Sequence, residues 1–252
     1  MNDLVSIITP LYNAVGFVEQ TIQSVLAQTY PHWEMIVVND GSTDGSELIV
    51  ERYSKADNRI VLINQPRQGS AVARNTALRS AQGRYIAFLD ADDLWTPDFL
   101  QLQIKFLNET KLPIVYSGYK RIDENNQECL SPFMPPARVN YKDLLKTCPI
   151  APSTVLYDAN AIGKIYMNEK DSLGMREDYV VWLNIVQQTG FINCNRQYLA
   201  YYRIRNSQKS GSKIRMIIPQ YRVYRQAEHL NPVQSLYYLA CWACNGIRKY
   251  IK

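Results

Sequence analysis

Three aspartates in four positions, Asp90, Asp92 and Asp93, close the run Arg84-Tyr85-Ile86-Ala87-Phe88-Leu89. Aromatic and β-branched residues favour a buried pleated segment, whereas aspartate is poorly suited to a strand interior. The acids therefore belong at the strand's mouth, where a sheet meets solvent. Like charges this close raise one another's pKa. A hard divalent cation removes that penalty by taking carboxylate oxygens as ligands. Asp90-Ala91-Asp92 accordingly reads as a site for a metal-bound phosphate. A structural reading stands beside it for the neighbours. Thr96 fits a helix N-cap with Pro97 at the first helical position, so Asp93 and Asp98 can serve only a turn and a helix start. Capping does not call for Asp-x-Asp at a strand end, which leaves the chemical reading to Asp90 and Asp92.

The elements that would position these acids alternate over the first 115 residues. Val5 to Thr9, Glu34 to Val38, Arg59 to Ile63, the acidic run and Ile114 to Tyr116 read as strands. Helical stripes lie between them: Val18, Ile22 and Val25/Leu26; Leu48, Ile49 and Tyr53; Ala71, Arg74, Ala77 and Leu78; then Pro97 to Asn108. Asn39-Asp40-Gly41-Ser42 reads as a tight turn whose serine caps the second helix. Such alternation implies βαβ units, a parallel sheet covered on both faces and right-handed crossovers. Ligands in these folds bind outside the carboxyl ends of the strands. Tyr12, Asp40, Asp90 and Asp92 all follow strand ends, and Arg74 lies one turn into the third helix. Beyond Gly118 the pattern loosens. Asp123 to Asn126 reads as a hairpin turn, Val180 to Val186 as a helix after Arg176-Glu177-Asp178, and Phe191-Ile192 and Tyr198 to Ile204 as two strands. After Lys213 the chain reads as mainly helical, with a stripe at Val233, Leu236/Tyr237, Ala240, Ala243/Cys244, Ile247 and Ile251.

Composition bounds the class. A hydrophobic fraction of 46% with mixed charge belongs to a globular chain rather than a disordered one. The start lacks signal-peptide character, and no stretch reaches the roughly 20 apolar residues that a membrane span needs. Five scattered cysteines argue against a disulfide framework, so a reduced, cytoplasmic protein is expected. Cys241 and Cys244 are expected to be buried on one helix face. His32 and His229 are the only histidines, which argues against a zinc centre or a serine–histidine–aspartate hydrolase. From Arg196 to Lys252 eleven Lys or Arg face one acid, Glu228, which leaves 17 basic and 22 acidic residues before them. So lopsided a tail suits an anionic partner.

Five segments together resemble the inverting A-type glycosyltransferases that use nucleotide-diphosphate sugars, glycosyltransferase family 2. They are Val5-Ser6-Ile7-Ile8-Thr9-Pro10-Leu11-Tyr12-Asn13, Val37 to Asp44, Gly69 to Asn75, Asp90 to Asp93 and Glu177-Asp178. The resemblance implies a GT-A fold: an α/β, Rossmann-like, mostly parallel central sheet with helices on both faces, plus a helical C-terminal extension. It divides the chain into a nucleotide-sugar-binding half (1–117), an acceptor-binding and catalytic-base half of the same domain (118–212) and a basic, aromatic extension (213–252). It implies that Thr9, Pro10 and Tyr12 line the base and ribose pocket, and that Asp40 holds the base or ribose. Arg74 would help hold the nucleotide, Asp90 would reach the ribose or the metal's water shell, and Ala91 would lie at the donor. Asp92 would ligate Mn²⁺ or Mg²⁺, a hard ion suited to oxygen ligands, and Asp178 would be the catalytic base. A helix-start charge favoured by the dipole is the structural alternative for Asp178.

The segment Tyr202-Arg203-Ile204-Arg205-Asn206-Ser207 resembles a late family segment in which histidine often stands where Arg205 is. An arginine there cannot ligate metal but can pair bidentately with phosphate oxygens, so Arg205, together with Arg203, is expected to clamp the diphosphate. The expected donor is a UDP-sugar, and the expected acceptor a glycan or lipid-pyrophosphate-linked glycan of a bacterial surface polysaccharide. Tyr and Trp rings in the extension are expected to be mostly core. Its cations suit peripheral contact with the inner face of the cytoplasmic membrane. The rival readings are a nucleotidyltransferase, a retaining glycosidase and a non-catalytic nucleic-acid-binding module. The first lacks a basic residue between Pro10 and Gly16, the second needs no nucleotide pocket, and the third leaves the acidic site without a role, so no nucleic-acid partner is expected.

Overall fold

The computed structural model describes residues 3–169, 176–205 and 213–251. In chain order the first half holds β1 (Val5–Leu11), α1 (Val18–Leu26), β2 (Trp33–Asp40), α2 (Ser46–Ala56), β3 (Ile60–Gln65), α3 (Ser70–Ser80), β4 (Tyr85–Phe88), β5 (Leu94–Trp95) and α4 (Phe99–Thr110). It continues with β6 (Ile114–Ile122), β7 (Glu128–Phe133), β8 (Arg138–Asn140), α5 (Tyr141–Lys146), β9 (Leu156–Asp158), α6 (Ala159–Ile162), α7 (Glu177–Thr189) and β10 (Phe191–Arg203). The C-terminal extension holds α8 (Lys213–Arg222), a wide π turn (Val223–Ala227) and α9 (Pro232–Ile251).

One sheet runs β3-β2-β1-β4-β9-β6-β10-β5. The four strands β3-β2-β1-β4 are parallel, as are β6 and β10. Short β9 runs antiparallel between β4 and β6 and stitches the two parallel groups together. The doubly covered, mostly parallel sheet expected from the sequence is therefore present. β6 spans the expected border at residue 117, so both halves share one sheet.

Period-two alternation sorts β1 between two cores. Ile8 joins Ile36, Phe88 and Trp182 under α3, α5 and α7. Val5, Ile7 and Leu11 join Val18, Ile22, Phe99 and Leu107 under α1 and α4. With both faces covered, β1 and β2 carry almost unbroken apolar runs, as buried parallel strands do.

Local structure departs from the sequence expectations at several points. α4 begins at Phe99, with Asp98 rather than Thr96 at the N-cap position. The Thr96 hydroxyl instead donates to Leu199 O at 3.2 Å, fastening the β5 turn to β10. Ser42 caps no helix: α2 starts at Ser46, whose N–H donates to Asp44 Oδ1 at 3.0 Å. The two strands expected at 191–192 and 198–204 are one strand, β10, with register shifts between Asn195 and Ala200. Polar Asn195-Arg196-Gln197 mark a bulge there, which lets a single strand bend without losing its pairing. The hairpin turn at Asp123 is as expected, with Asp123 N–H donating to Gln127 O at 2.9 Å.

The extension differs most. α9 rests on α5 and α8, with Tyr238 and Leu239 packed against the core and Asn245 Nδ2 donating to Lys146 O at 3.2 Å. The stripe Val233, Leu236, Tyr237, Ala240, Ala243 and Cys244 is exposed instead of buried. Tyr238, Leu239 and the Asn245 hydrogen bond mark the docked face, which periodicity does not report. Cys244 is thus exposed and Cys241 half-buried, against the expectation that both were core. Tyr224 is fully buried as expected, with its hydroxyl donating to Leu145 O at 2.6 Å, whereas Tyr237 is 56% exposed. Among the described residues no helix is long and apolar enough to cross a membrane.

Gly83 shows how tightly the acidic strand is seated. Its N–H donates to Ser6 Oγ at 2.8 Å, and a Cβ added there would lie 2.6 Å from Ser6 N and 2.7 Å from Leu4 O. Backbone cannot yield as a flexible side chain can. Gly83→Ala is expected to destabilise the fold by about 2 kcal/mol, read from the urea unfolding midpoint.

Candidate active site

The order 3-2-1-4 reverses direction between β1 and β4, and a cleft of ≈ 420 Å³ opens beyond their carboxyl ends. Pro10 from β1, Tyr12 just past its end, Asp40 from β2, Arg74 from α3 and Asp90, Ala91 and Asp92 after β4 line it. Asp178 from α7 and Arg205 after β10 complete the wall. Residues separated by up to 195 positions thus meet at one rim. Thr9 does not join them. Alternation along β1 turns it to the face of Ile7 and Leu11, where it is fully buried and its hydroxyl has no hydrogen-bond partner.

At one end of the cleft Tyr12 is 40% exposed, and the Arg67 guanidinium stands 3.5 Å from its ring centroid. Asp40 is buried and organises the adjoining loop. Its Oδ1 accepts from Gln65 Nε2 and Gln68 N, both at 2.8 Å, and its Oδ2 accepts from Gly69 N at 2.8 Å. Gly69 has φ +98°, a backbone region that favours glycine, and it lets the loop turn directly into α3.

The acidic turn occupies the centre, and each carboxylate has its own partners. Asp90 Oδ1 accepts from Arg74 NH2 at 2.7 Å. Asp92 Oδ2 accepts from Arg205 NH1 at 3.2 Å. Asp93 faces away from the cleft, only 2% exposed, and accepts from Ser153 Oγ at 2.5 Å and Arg203 N at 2.9 Å. Burial raises the Asp92 pKa, the Asp90 charge adds to it, and Arg205 opposes both. Burial, then the charges of Asp92 and Asp90, push Asp93 well above the carboxylate range. Thr21 Oγ1 holds the turn from beneath by donating to Ala91 O at 3.0 Å and Asp93 O at 2.9 Å. Asp93 is therefore structural, whereas Asp90 and Asp92 face the cleft.

Arg203 was expected at the diphosphate, and its placement corrects that reading. It is fully buried and spends its guanidinium on Asp92 O at 2.7 Å, Asp123 O at 2.8 Å and Gln20 Oε1 at 3.0 Å. Residues two apart on a strand share a face, but β10 ends at Arg203, so the alternation does not extend to Arg205. Arg203 turns inward and Arg205, two positions on and just past the strand end, reaches the cleft. Asn206 and Ser207 of the same segment lie outside the described residues.

Asp178 sits in the first turn of α7. Its Oδ1 accepts from Tyr179 N at 2.8 Å. Burial raises its pKa to about 6, with the Glu177 charge adding, while Arg74 and Arg176 pull the other way. Glu177 accepts from Ser70 Oγ at 2.5 Å and stands 3.6 Å from Arg74 NH1, so Arg74 bridges the α7 start to Asp90. Burial acts to lower the Arg74 pKa, but Asp90 and Glu177 outweigh it and keep the guanidinium charged. Its Nε is buried without a hydrogen-bond partner. The cleft thus joins a cationic, carboxylate-bearing anion site to a carboxyl group able to change protonation near neutral pH.

Arg67, Ser70, Glu177, Pro152 and Tyr202 also line the cleft without having been assigned a role from the sequence. Arg67 follows the end of β3, a position that could have drawn notice. Its stacking on Tyr12 has no trace in the linear chain.

The family model described as glycosyl transferase family 2 matches residues 6–166. TuaG of Bacillus subtilis (strain 168), named as a glycosyltransferase of teichuronic acid biosynthesis, is 37% identical over 98% of this chain and 97% of its own. WfgD of Escherichia coli, named a UDP-Glc:alpha-D-GlcNAc-diphosphoundecaprenol beta-1,3-glucosyltransferase, is 36% identical over 98% of this chain and 95% of its own. Among solved structures, S. aureus TarS 1–349 in complex with UDP-GlcNAc superposes with TM-score 0.70 at 20% identity, covering 98% of this chain and 76% of that one. The mannosyltransferase PcManGT from Pyrobaculum calidifontis, in complex with GDP-Man and Mn²⁺, gives TM-score 0.67 at 19% identity, covering 95% and 68%. Those two likenesses concern the fold, while the family match and the near full-length relatives concern descent. The chain belongs to glycosyl transferase family 2, and the protein is a glycosyltransferase.

Proposed function

We propose that the protein transfers a sugar from a UDP-sugar, with inversion at the anomeric carbon, to a hydroxyl of a lipid-pyrophosphate-linked glycan during surface-polysaccharide assembly. The observation that carries this reading is one cleft holding Asp90, Asp92 and Arg205 at its centre and Asp178 on its wall. WfgD, named for a diphosphoundecaprenol-linked acceptor, and the TarS complex with UDP-GlcNAc support the two substrate classes. Family membership sets aside the nucleotidyltransferase, glycosidase and nucleic-acid readings.

In this account Pro10, Tyr12 and Asp40 bound the base and ribose, and Arg74 and Arg205 face the diphosphate. Asp178 takes the proton of the acceptor hydroxyl as that oxygen bonds to the anomeric carbon. The bond from that carbon to the diphosphate oxygen breaks, and UDP leaves with the electron pair. A positioned base of this kind is worth roughly 10²- to 10⁴-fold in rate.

The donor set at the acidic turn fits a hard divalent cation. Asp92, with Asp90, offers carboxylate oxygens, and burial together with the Asp90 charge already works against ionisation of Asp92. No group of three His, Cys, Asp or Glu side chains able to hold a metal occurs among the described residues. That suits Mg²⁺ or Mn²⁺, which bind through one or two carboxylates and complete their shell with substrate phosphates. When bound, such an ion supplies Lewis-acid neutralisation of the leaving diphosphate. Arg205 offers a second positive charge at the same carboxylate.

Two outcomes are expected. Because Asp178 must be ionised to accept a proton, kcat/KM should climb with pH and level off above about 6. Asp178→Asn should retain UDP binding and lose transfer; unchanged transfer would remove Asp178 as the base. The stability linkage has a defined sign. Folding raises this pKa, so the contribution is full at acid pH and is lost as pH rises from the ordinary carboxylate range through about 6. The second test is thermal shift with UDP, with and without Mn²⁺. Asp92→Asn should abolish the metal-dependent part of the stabilisation, and Arg205→Ala should raise the donor KM. If Arg205→Ala leaves donor KM and turnover unaltered, its role at the diphosphate is wrong.

A further inference from the structure

The exposed stripe on α9 has the properties of a surface awaiting a partner. Val233 is 78%, Leu236 59% and Tyr237 56% exposed, and Ala240, Ala243 and Cys244 continue the same side of the helix. On neighbouring α8, Ile217 and Ile218 are 41% and 61% exposed. Water contact over so many apolar side chains is unusual for a monomer's surface.

Charge selects the occupant. α9 contains no acidic residue, and Arg248 and Lys249 lie near its end. Arg222 and Arg225 are exposed just before it. The one acid after residue 195, Glu228, turns towards the body, accepting from Tyr141 Oη at 2.6 Å and Gln187 Nε2 at 2.8 Å. Among the described residues no acid pairs with Arg222 or Arg225. Two copies meeting through α9 would bring like charges together, whereas anionic lipid headgroups would neutralise them. An amphipathic helix with tyrosine on its apolar side and cations beside it suits the headgroup boundary.

Position supplies the link to catalysis. The Arg176 guanidinium, two residues before Asp178, stands 5.2 Å from the Trp242 ring on α9. The helix therefore passes beside the Asp178 end of the cleft. We infer that the apolar face of α9 seats the protein on an anionic bilayer, next to where the acceptor meets the catalytic base. The inference deepens the proposed function, since a lipid-carried acceptor would be presented at that surface.

The test is co-sedimentation of the full chain with vesicles of phosphatidylglycerol and phosphatidylcholine, compared with phosphatidylcholine alone. Binding is expected only with the anionic vesicles, and it should weaken with salt. The double variant Val233→Glu, Leu236→Glu should lower the partition constant about tenfold or more, since it removes two apolar side chains from the contact and adds charge that anionic headgroups repel. Both positions are exposed, so stabilisation by UDP should be unchanged in the variant. Three results overturn the inference: no vesicle binding by the wild type, equal binding by the variant, or a wild-type dimer in solution that the variant loses. Vesicle binding without any response to UDP would instead count against the proposed function and leave this surface standing.

Discussion

Three carboxylates at one strand end repel one another, and the surrounding architecture is organised around that repulsion. Each acid is answered from a different part of the chain: Asp90 by Arg74, Asp92 by Arg205, and Asp93 by Ser153 and the Arg203 backbone. Neutralisation from separate elements holds the turn open, with two carboxylates facing the cleft and the third locked beneath it. A cluster answered by a single neighbouring cation would have collapsed onto it. The same spread of partners ties α3, the loop before β9 and the end of β10 to the mouth of β4.

Arg203 shows how costly that arrangement is and why it persists. A guanidinium at zero exposure must find an acceptor for each donor, since an unpaired buried charge is strongly destabilising. It uses the carbonyls of Asp92 and Asp123 and the side chain of Gln20. This links the acidic turn to the β6–β7 hairpin and to α1, and it carries β10 to the point where Arg205 emerges at the cleft. Arg74 plays the corresponding part on the other side, bridging Asp90 and Glu177 and so placing α7 with Asp178 against the same opening.

The site and the extension obey opposite rules. Inside the cleft Asp90 is paired with Arg74 and Asp92 with Arg205, and Asp178 owes its poise near pH 6 chiefly to burial. Among the described residues of the extension, Arg222 and Arg225 form no ion pair, and the apolar stripe stands in water. Both conditions are costly for an isolated domain. An anionic bilayer, the occupant proposed for this face, would supply apolar contact and negative charge together.

Much was legible in the linear chain because local pattern reports local physics. Alternating strands and helical stripes implied the doubly covered sheet, and the Asp-x-Asp at a strand end marked the mouth of the cleft. The five family-like segments pointed to the remaining wall as far as Asp178, and the late segment Tyr202 to Ser207 pointed to Arg205. What the chain could not report was direction. A one-residue step along β1 separates Pro10 on the wall from Thr9 in the core. A two-residue step separates a structural arginine from one that faces the cleft. The stacking of Arg67 on Tyr12 joins two strand ends 55 residues apart. On α9 periodicity identified an apolar stripe correctly and implied the wrong face for burial. Residue type and spacing determine which groups a segment carries and how strongly it prefers helix or strand. Which way each side chain points depends on what packs against the segment, and that is decided only when distant elements meet.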